Sequence, residues 1–142
     1  MDIISKPSML LLWSLTAVLM FFTGATEAVA GDLSGEEVRK LISGNTVKAI
    51  HVKLGFSITT YFSPDGTFRQ IRDGKRESGT WSIDDQGHLC QNREGWGGEC
   101  RVITQEGNVW KAYKIPDSGY PMKPRKHKRT FKKVLEGNPN NL

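Results

Sequence analysis

The chain has 142 residues, with 20 lysine and arginine residues against 15 aspartate and glutamate residues, so its formal net charge is +5. A chain of this length builds one small domain and is too short for two separate hydrophobic cores. It contains two cysteines, too few for a zinc site made of two cysteine pairs.

The N-terminal region, residues 1–30, is predicted to be a signal peptide. Lys6 precedes a mostly apolar run over 9–22, and the small residues Ala28-Val29-Ala30 follow it. The run is shorter than the roughly 20 apolar residues of a membrane-spanning helix, and the small residues fit a cleavage site. We therefore expect cleavage before Gly31, a periplasmic or secreted protein, one domain over 31–142 and no membrane span after cleavage.

A short N-terminal helix is predicted over about residues 35–43. Ser34 and Glu37 have the spacing of a capping box, in which each side chain bonds a backbone N–H at the start of the helix. Gly44 can adopt the left-handed conformation that ends a helix. The apolar residues at helical spacing are Val38, Leu41 and Ile42.

After residue 45 the apolar residues alternate and turn signals separate them, which predicts about eight short strands between residues 46 and 135. Their connections are too short for crossover helices, so we predict an all-β fold, an antiparallel meander forming a small barrel or sandwich. A barrel of this size either fills its interior with side chains or holds one small ligand, and the sequence leaves both open. The predicted strands are 46–52, 56–62, 67–72, 78–83, 88–91, 99–104, 109–114 and 128–135.

Cys90 and Cys100 are predicted to form a disulfide bond. Exported proteins meet oxidising conditions, and the nine residues between the two cysteines do not fit the Cys-x-x-Cys redox motif. Residues that face each other in an antiparallel strand pair also have a Cα separation close to that of a disulfide. The bond is therefore expected to join the two strands of a hairpin.

The glycine-rich loop between the cysteines contains Trp96. Because Gly95, Gly97 and Gly98 permit unusual backbone angles, Trp96 either points outward as a binding contact or folds back over one end of the core. The usual burial of large aromatic side chains favours the second arrangement. The candidate contacts for a ligand or a partner are Trp96, Arg93, Trp81, Trp110 and Tyr61.

A basic segment over 123–133 holds most of the excess positive charge. One interpretation is a surface for an anionic polymer; the other, which we favour, is a solvated strand edge where lysines discourage pairing between sheets. Phe131 is the single aromatic residue of the segment, which therefore lacks the stacking residues of single-strand binders, and no nucleic-acid partner is expected. The candidate polyanion contacts are Lys126, Lys128, Arg129 and Lys132.

The sequence has no set of residues typical of an enzyme or a metal site. His51, His88 and His127 fall on different predicted strands, and no serine has the G-x-S-x-G context. Asp65 and Asp84 lie in predicted turns, where aspartate is favoured because its side chain bonds nearby backbone N–H groups. We therefore expect a non-enzymatic protein with no metal and no cofactor.

The order of short motifs along the chain resembles a family of small exported proteobacterial proteins described as a domain of unknown function. This resemblance covers nearly all of residues 31–142 and implies a periplasmic protein with a small β-rich fold and no known activity. The predicted shape is also similar to calycin-type barrels and to small disulfide-containing inhibitor barrels, a likeness of fold that carries no function. The motifs are Gly-Asn-Thr at 44–46, Phe-Ser-Pro-Asp-Gly at 62–66, Gly-Thr-Trp at 79–81, Cys90, Cys100 and Gly-Asn-Pro at 137–139.

Three functional hypotheses follow from these patterns. The leading one is an exported binding module whose barrel mouth or Trp96 loop holds a small apolar ligand or a periplasmic protein, because aromatic residues outnumber any catalytic set. The alternative is a periplasmic inhibitor or envelope-polymer interaction protein that uses the 90–100 loop or the basic C-terminal strand. A hydrolase acting on envelope material is the third and the least supported.

Overall fold

A computed structural model describes residues 31–115 and 124–142 of the chain. The predicted signal peptide lies outside the described residues. Within them, no helix has the length and the apolar character that crossing a bilayer requires. The elements are β1 (Gly31–Asp32), α1 (Gly35–Ile42), β2 (Asn45–His51), β3 (Ser57–Phe62), β4 (Thr67–Arg72), β5 (Lys75–Ile83), β6 (Leu89–Arg93), β7 (Gly97–Glu106), β8 (Val109–Lys114) and β9 (Lys126–Glu136).

Strands β2 to β9 form a closed antiparallel barrel. Each strand pairs with the next one along the chain, and β9 pairs with β2 to complete the circle. The predicted meander of eight strands is confirmed, and the barrel is the closed alternative to a sandwich. The two-residue strand β1, which the sequence pattern did not predict, pairs with β7 on the outside.

Barrel closure corrects one interpretation of the basic C-terminal segment. Strand β9 lies between β2 and β8, with hydrogen-bonded partners on both sides. The segment is therefore not a sheet edge, and its lysines do not serve to protect one. The sequence pattern could not distinguish an edge strand from a closing strand, because the pairing between β9 and β2 joins segments far apart in the chain.

Helix α1 covers one end of the barrel, here called the closed end. The capping box is confirmed: Ser34 N–H donates to the Glu37 carboxylate at 2.7 Å, and Glu37 N–H donates to the Ser34 hydroxyl at 3.3 Å. Val38 and Ile42, one turn apart on the inner face, are fully buried against the barrel. The helix therefore seals this end with apolar side chains.

Aromatic side chains fill the closed end of the barrel. Trp81 meets Phe62 edge to face, with ring centroids 5.8 Å apart, and Phe68 lies 6.3 Å from Phe62. The indole N–H of Trp81 donates to the Ser63 carbonyl at 2.8 Å, so the buried ring leaves no unpaired donor. Where Phe62 and the apolar residues around it meet Arg101 and Arg129, the space left amounts to only about 10 Å³. This half of the interior is packed with side chains.

Gly79 allows β5 and β6 to approach each other closely. A Cβ atom at this position would lie 2.0 Å from the Asn92 carbonyl oxygen and 2.9 Å from the Phe68 ring. A glycine inside a strand marks this kind of close approach of backbone and ring. The Gly-Thr-Trp motif thus owes its glycine first to the backbone of β6 at Asn92 and then to the Phe68 ring.

Candidate functional site

The end of the barrel opposite the helix is open and is here called the mouth. The turns between β2 and β3 and between β6 and β7 rise around it, and a cavity of about 170 Å³ lies inside. Its described lining is mostly polar, and five of the side chains are basic, namely Arg72, Arg93, Arg101, Lys128 and Arg129. Other lining residues that matter below are His51, Phe68, Gln70, Gln91, Trp96 and Glu99.

Glu77 is the centre of the first polar cluster below the mouth. Gln70 donates to its carboxylate at 2.6 Å, Arg93 donates to both of its oxygens at 3.2 and 3.3 Å, and Arg72 lies at 3.6 Å. Burial by itself would raise the pKa of Glu77, but the hydrogen bonds from Gln70 and Arg93 outweigh it and lower the pKa. Glu77 is therefore ionised and compensates part of the charge of Arg72 and Arg93.

Arg101 forms the second cluster, deeper in the barrel wall. It is almost fully buried, pairs with the Glu99 carboxylate and donates to the Gln91 side-chain oxygen at 3.0 Å. Its Nε atom is the one buried side-chain nitrogen or oxygen in the described part of the chain without a hydrogen-bond partner. Burial lowers the pKa of Arg101, although the charge of Glu99 acts in the opposite direction.

Arg129 enters the same cavity from β9 without a carboxylate of its own. Its guanidinium donates to the Gln91 side-chain oxygen at 3.4 Å, and among the described residues no acidic group lies within 4.0 Å. Burial, followed by the positive charge of Arg101, lowers the pKa of Arg129 to about 9. The side chain is still a cation at neutral pH, held beside other cations.

Trp96 lies at the rim of the mouth with 72% of its surface exposed. The expectation that it folds back over the core is therefore wrong. A tight turn, in which Trp96 N–H donates to the Arg93 carbonyl at 3.0 Å, directs the ring outward, and the Arg93 guanidinium lies 4.9 Å from the ring centre. The side chains directly below the rim are polar, so there is no apolar surface at this end that Trp96 would have to cover.

The disulfide between Cys90 and Cys100 is confirmed, and it joins residues directly opposite each other on β6 and β7. Both sulfur atoms are used in this bond, so they do not offer the thiolates that a metal site would need. The strand neighbours of the two cysteines, Gln91 and Glu99, line the cavity from the other face of the hairpin. The bond thus holds the register that places these two polar side chains inside.

The remaining candidate contacts lie apart from the mouth. Trp81 is buried at the closed end, and Trp110 is half-buried against the apolar core. Tyr61 is half-buried on the face of β3 opposite Phe62. Of the candidate ligand contacts, the structure brings only Arg93 and Trp96 together at the cavity.

The four candidate polyanion contacts on β9 do not form one surface. Lys126 and Lys132 are exposed, whereas Lys128 and Arg129 line the cavity. Lys128 is the extra residue of a bulge between His127 and Arg129, so it and its neighbour Arg129 both reach the cavity, whereas the side chains of Lys126 and Lys132 lie outside. The basic run is thus divided between an outer face and the mouth.

The sequence reasoning missed most of the polar residues inside the barrel. All of them but Glu77 occupy inward positions of predicted strands, where an apolar residue is the usual expectation, and Glu77 lies just before the strand predicted over 78–83. The sequence did contain an indication of them, namely a polar or charged residue at a strand position that alternation assigns to the inner face. Thr60 and Gln70 are examples, since both are buried and they bond each other at 3.0 Å. The missed residues are Gln70, Arg72, Glu77, Gln91, Glu99 and Arg101.

Comparison of the chain with protein-family models and with curated proteins finds no match. The resemblance to an exported proteobacterial family therefore stays a prediction. Its fold-level part, a small β-barrel, is what the structure bears out.

Proposed function

We propose that this protein is a non-enzymatic binding module that holds a small ligand in the mouth of its barrel. The observation that carries the proposal is the contrast in free space: a cavity of about 170 Å³ at the mouth, and only about 10 Å³ below it, where Phe62 and Leu89 approach Arg101. Ligand sites are typically concave and open at one end, with a rigid wall that presents a few polar groups. The barrel mouth has this form.

The lining supports a ligand with polar groups, which modifies the expectation of an apolar one. Phe68 and Trp96 supply apolar surface, but they are outnumbered by charged and amide side chains. A purely apolar ligand would remove water from these groups without replacing their hydrogen bonds, which costs free energy. We therefore propose a ligand that pairs a polar group with a small apolar part.

The state of the titratable groups favours binding over acid–base chemistry. Glu99 is paired with Arg101, and the Nδ1 atom of His51 accepts a hydrogen bond from Leu54 N–H at 3.1 Å. General acid–base catalysis requires such a group to be free to reach a substrate proton. The hydrolase hypothesis gains no support from groups that are already engaged in this way.

Native mass spectrometry of the protein purified from its own host tests this proposal. We expect a bound small molecule on the wild type, lower occupancy in Trp96→Ala, and unchanged occupancy in Val109→Ala. Val109 is the matched control, because it is an exposed apolar residue at the turn between β7 and β8, at the closed end. A wild type that shows only the mass of the bare chain would overturn the proposal.

A second candidate function is favoured by the exposed side chains at the rim. Val52, Leu54 and Trp96 are 47%, 62% and 72% exposed, and all three lie on turns at the mouth. Exposed apolar residues gathered at one end of a molecule are typical of a contact surface. We therefore keep the inhibitor or surface-interaction role as the alternative, with this rim as its docking surface.

A pull-down from envelope extract separates the two surfaces proposed for that role. We expect Trp96→Ala to lose a protein partner that the double variant Lys126→Gln and Lys132→Gln retains. The reverse result would assign the interaction to the outer face of β9 and to an anionic polymer. If the wild type and both variants captured the same partners, the inhibitor or surface-interaction role would be overturned.

A further inference from the structure

Among the described residues, the positive charges at the mouth exceed the negative ones that face them. Glu77 forms ion pairs with Arg72 and Arg93, and Glu99 forms one with Arg101. Arg129 is then left over, together with Lys128 at the rim of the same cavity. A buried or half-buried cation without a counter-charge is costly, and proteins retain such groups mainly where a ligand completes them.

Gln91 lies between Arg101, which is paired with Glu99, and Arg129, which has no acidic partner within 4.0 Å among the described residues. Its side-chain oxygen accepts from Arg101 at 3.0 Å and from Arg129 at 3.4 Å. A neutral amide oxygen satisfies part of the hydrogen-bonding capacity of the two guanidinium groups but none of their charge. The two cations are thus held near each other by a bridge that leaves their repulsion in place.

We propose that the ligand group held in the mouth is an oxyanion, a carboxylate or a phosphate, which binds between Arg129 and Arg101. This inference rests on the proposed binding function and names its ligand chemistry. The planar guanidinium fork matches the geometry of carboxylate and phosphate oxygens and bonds them in pairs. Such a ligand would satisfy the unpartnered Nε of Arg101 and the Arg129 guanidinium, whose one side-chain hydrogen bond within the described part of the chain goes to Gln91.

The surroundings of the two arginines fit an organic anion with a small apolar or aromatic part. Phe68 forms one wall of the cavity, and Trp96 stands at its rim. A volume of about 170 Å³ is enough for several water molecules, and hence for a small oxyanion with a few carbon atoms attached. The apolar part of the ligand would lie toward Phe68 and Trp96 while its charged group meets the arginines.

Isothermal titration calorimetry and thermal shift with inorganic phosphate, sulfate and acetate test the inference. Sodium chloride holds the ionic strength constant in every titration, and it also serves as the anion control. We expect saturable binding of at least one oxyanion with a rise in Tm, and no such rise with chloride. Comparing phosphate with acetate identifies which of the two anion classes binds.

Three variants locate the binding. Arg129→Met should weaken oxyanion binding by about 10- to 100-fold, the usual effect of losing a hydrogen bond to a charged group. Lys132→Met removes the same charge from the exposed face of the same strand and should leave binding unchanged. Arg129→Lys keeps the charge without the fork, so it should bind with intermediate affinity, and it provides the test if Arg129→Met does not fold.

The outcomes distinguish this inference from the proposed function. Equal stabilisation by chloride, no binding of any oxyanion, or full binding by Arg129→Met would overturn the oxyanion inference. If native mass spectrometry at the same time showed a bound neutral molecule on the wild type, the proposed binding function would stand and only the oxyanion inference would fall. A wild type that carries no bound molecule and binds no oxyanion would overturn both the proposed binding function and the oxyanion inference.

Discussion

The two ends of the barrel are built from opposite kinds of side chain. At the closed end, Phe62, Trp81 and the helix residue Ile42 fill the space with apolar groups. At the mouth, arginines, carboxylates and amides occupy inward positions that a barrel selected only for stability would fill with apolar residues. The difference teaches that apolar packing is concentrated at the closed end, and that the polar cavity on which the proposed binding function rests lies at the other.

The largest loss of stability is expected from the closed end. Phe62→Ala removes a fully buried ring that contacts Trp81 and Phe68, and it should lower the free energy of unfolding by about 3 to 5 kcal/mol. Urea denaturation followed by tryptophan fluorescence measures the change. A loss below about 1 kcal/mol would mean that the closed end is not the main source of stability.

The disulfide should have the next largest effect. Replacing Cys90 and Cys100 with serine removes the bond that closes the hairpin between β6 and β7, and the expected cost is about 2.7 kcal/mol. Reduction of the wild-type protein should give a similar loss in the same denaturation experiment. Because the bond holds the register of Gln91 and Glu99, we also expect weaker ligand binding. Unchanged binding after reduction would show that the strand pairing alone maintains the mouth.

Arg129→Met should act in the opposite direction from Phe62→Ala. The substitution removes a cation that has no carboxylate partner among the described residues, and methionine is long enough to fill much of the same space. Replacing an uncompensated buried charge with an apolar side chain is often neutral or stabilising, so we expect a gain of about 1 kcal/mol without ligand. Thermal unfolding in chloride buffer measures it. A marked loss of stability would assign Arg129 a structural role.

The smallest expected effect is a pH dependence at the mouth. Burial, and then the charges of Arg129 and Lys128, lower the pKa of His51, so the folded protein binds the His51 proton less well than the unfolded chain. Its neutral form stabilises the fold at pH values above about 6.5, and that contribution is lost as the pH falls toward the lowered folded-state pKa. Protonation also removes the Nδ1 acceptor of Leu54 N–H.

His51→Asn tests this pH dependence, because the asparagine oxygen can accept the same backbone hydrogen bond without titrating. Unfolding experiments between about pH 7 and pH 5 should show a smaller loss of stability in the variant than in the wild type. Parallel curves for the two proteins would contradict the expectation and leave the acidic residues as the source of any pH dependence.

Local chemistry made much of the fold predictable. The capping box of Ser34 and Glu37, the turn at 64–66 and the alternation in β4 each act within a few residues, and the structure has them where the sequence places them. Phe56 shows the limit of such reasoning. The pattern predicts that it belongs to the strand over 56–62, but β3 begins only at Ser57, and the Phe56 ring lies 4.9 Å from the His51 ring, at the turn between β2 and β3.

The candidate site was predictable only in part, and Arg93 and Trp96 illustrate why. Both attracted attention because they lie in a glycine-rich loop between cysteines, and both are at the mouth. Arg101 and Arg129 carry more of the proposed chemistry, yet they are 28 positions apart in the chain and meet only through Gln91. Their proximity results from the pairing of β8 with both β7 and β9, which no pattern within one strand describes.

The sequence by itself determined the elements, their antiparallel order and the disulfide, because capping, alternation, turn chemistry and cysteine spacing are interactions between near neighbours. The tertiary structure alone decided which end is closed, that Trp96 faces solvent, and that Arg129, which has no carboxylate partner among the described residues, shares a cavity with Arg101. These features depend on contacts between distant strands, where the position of each side chain is fixed by the register and closure of the whole barrel.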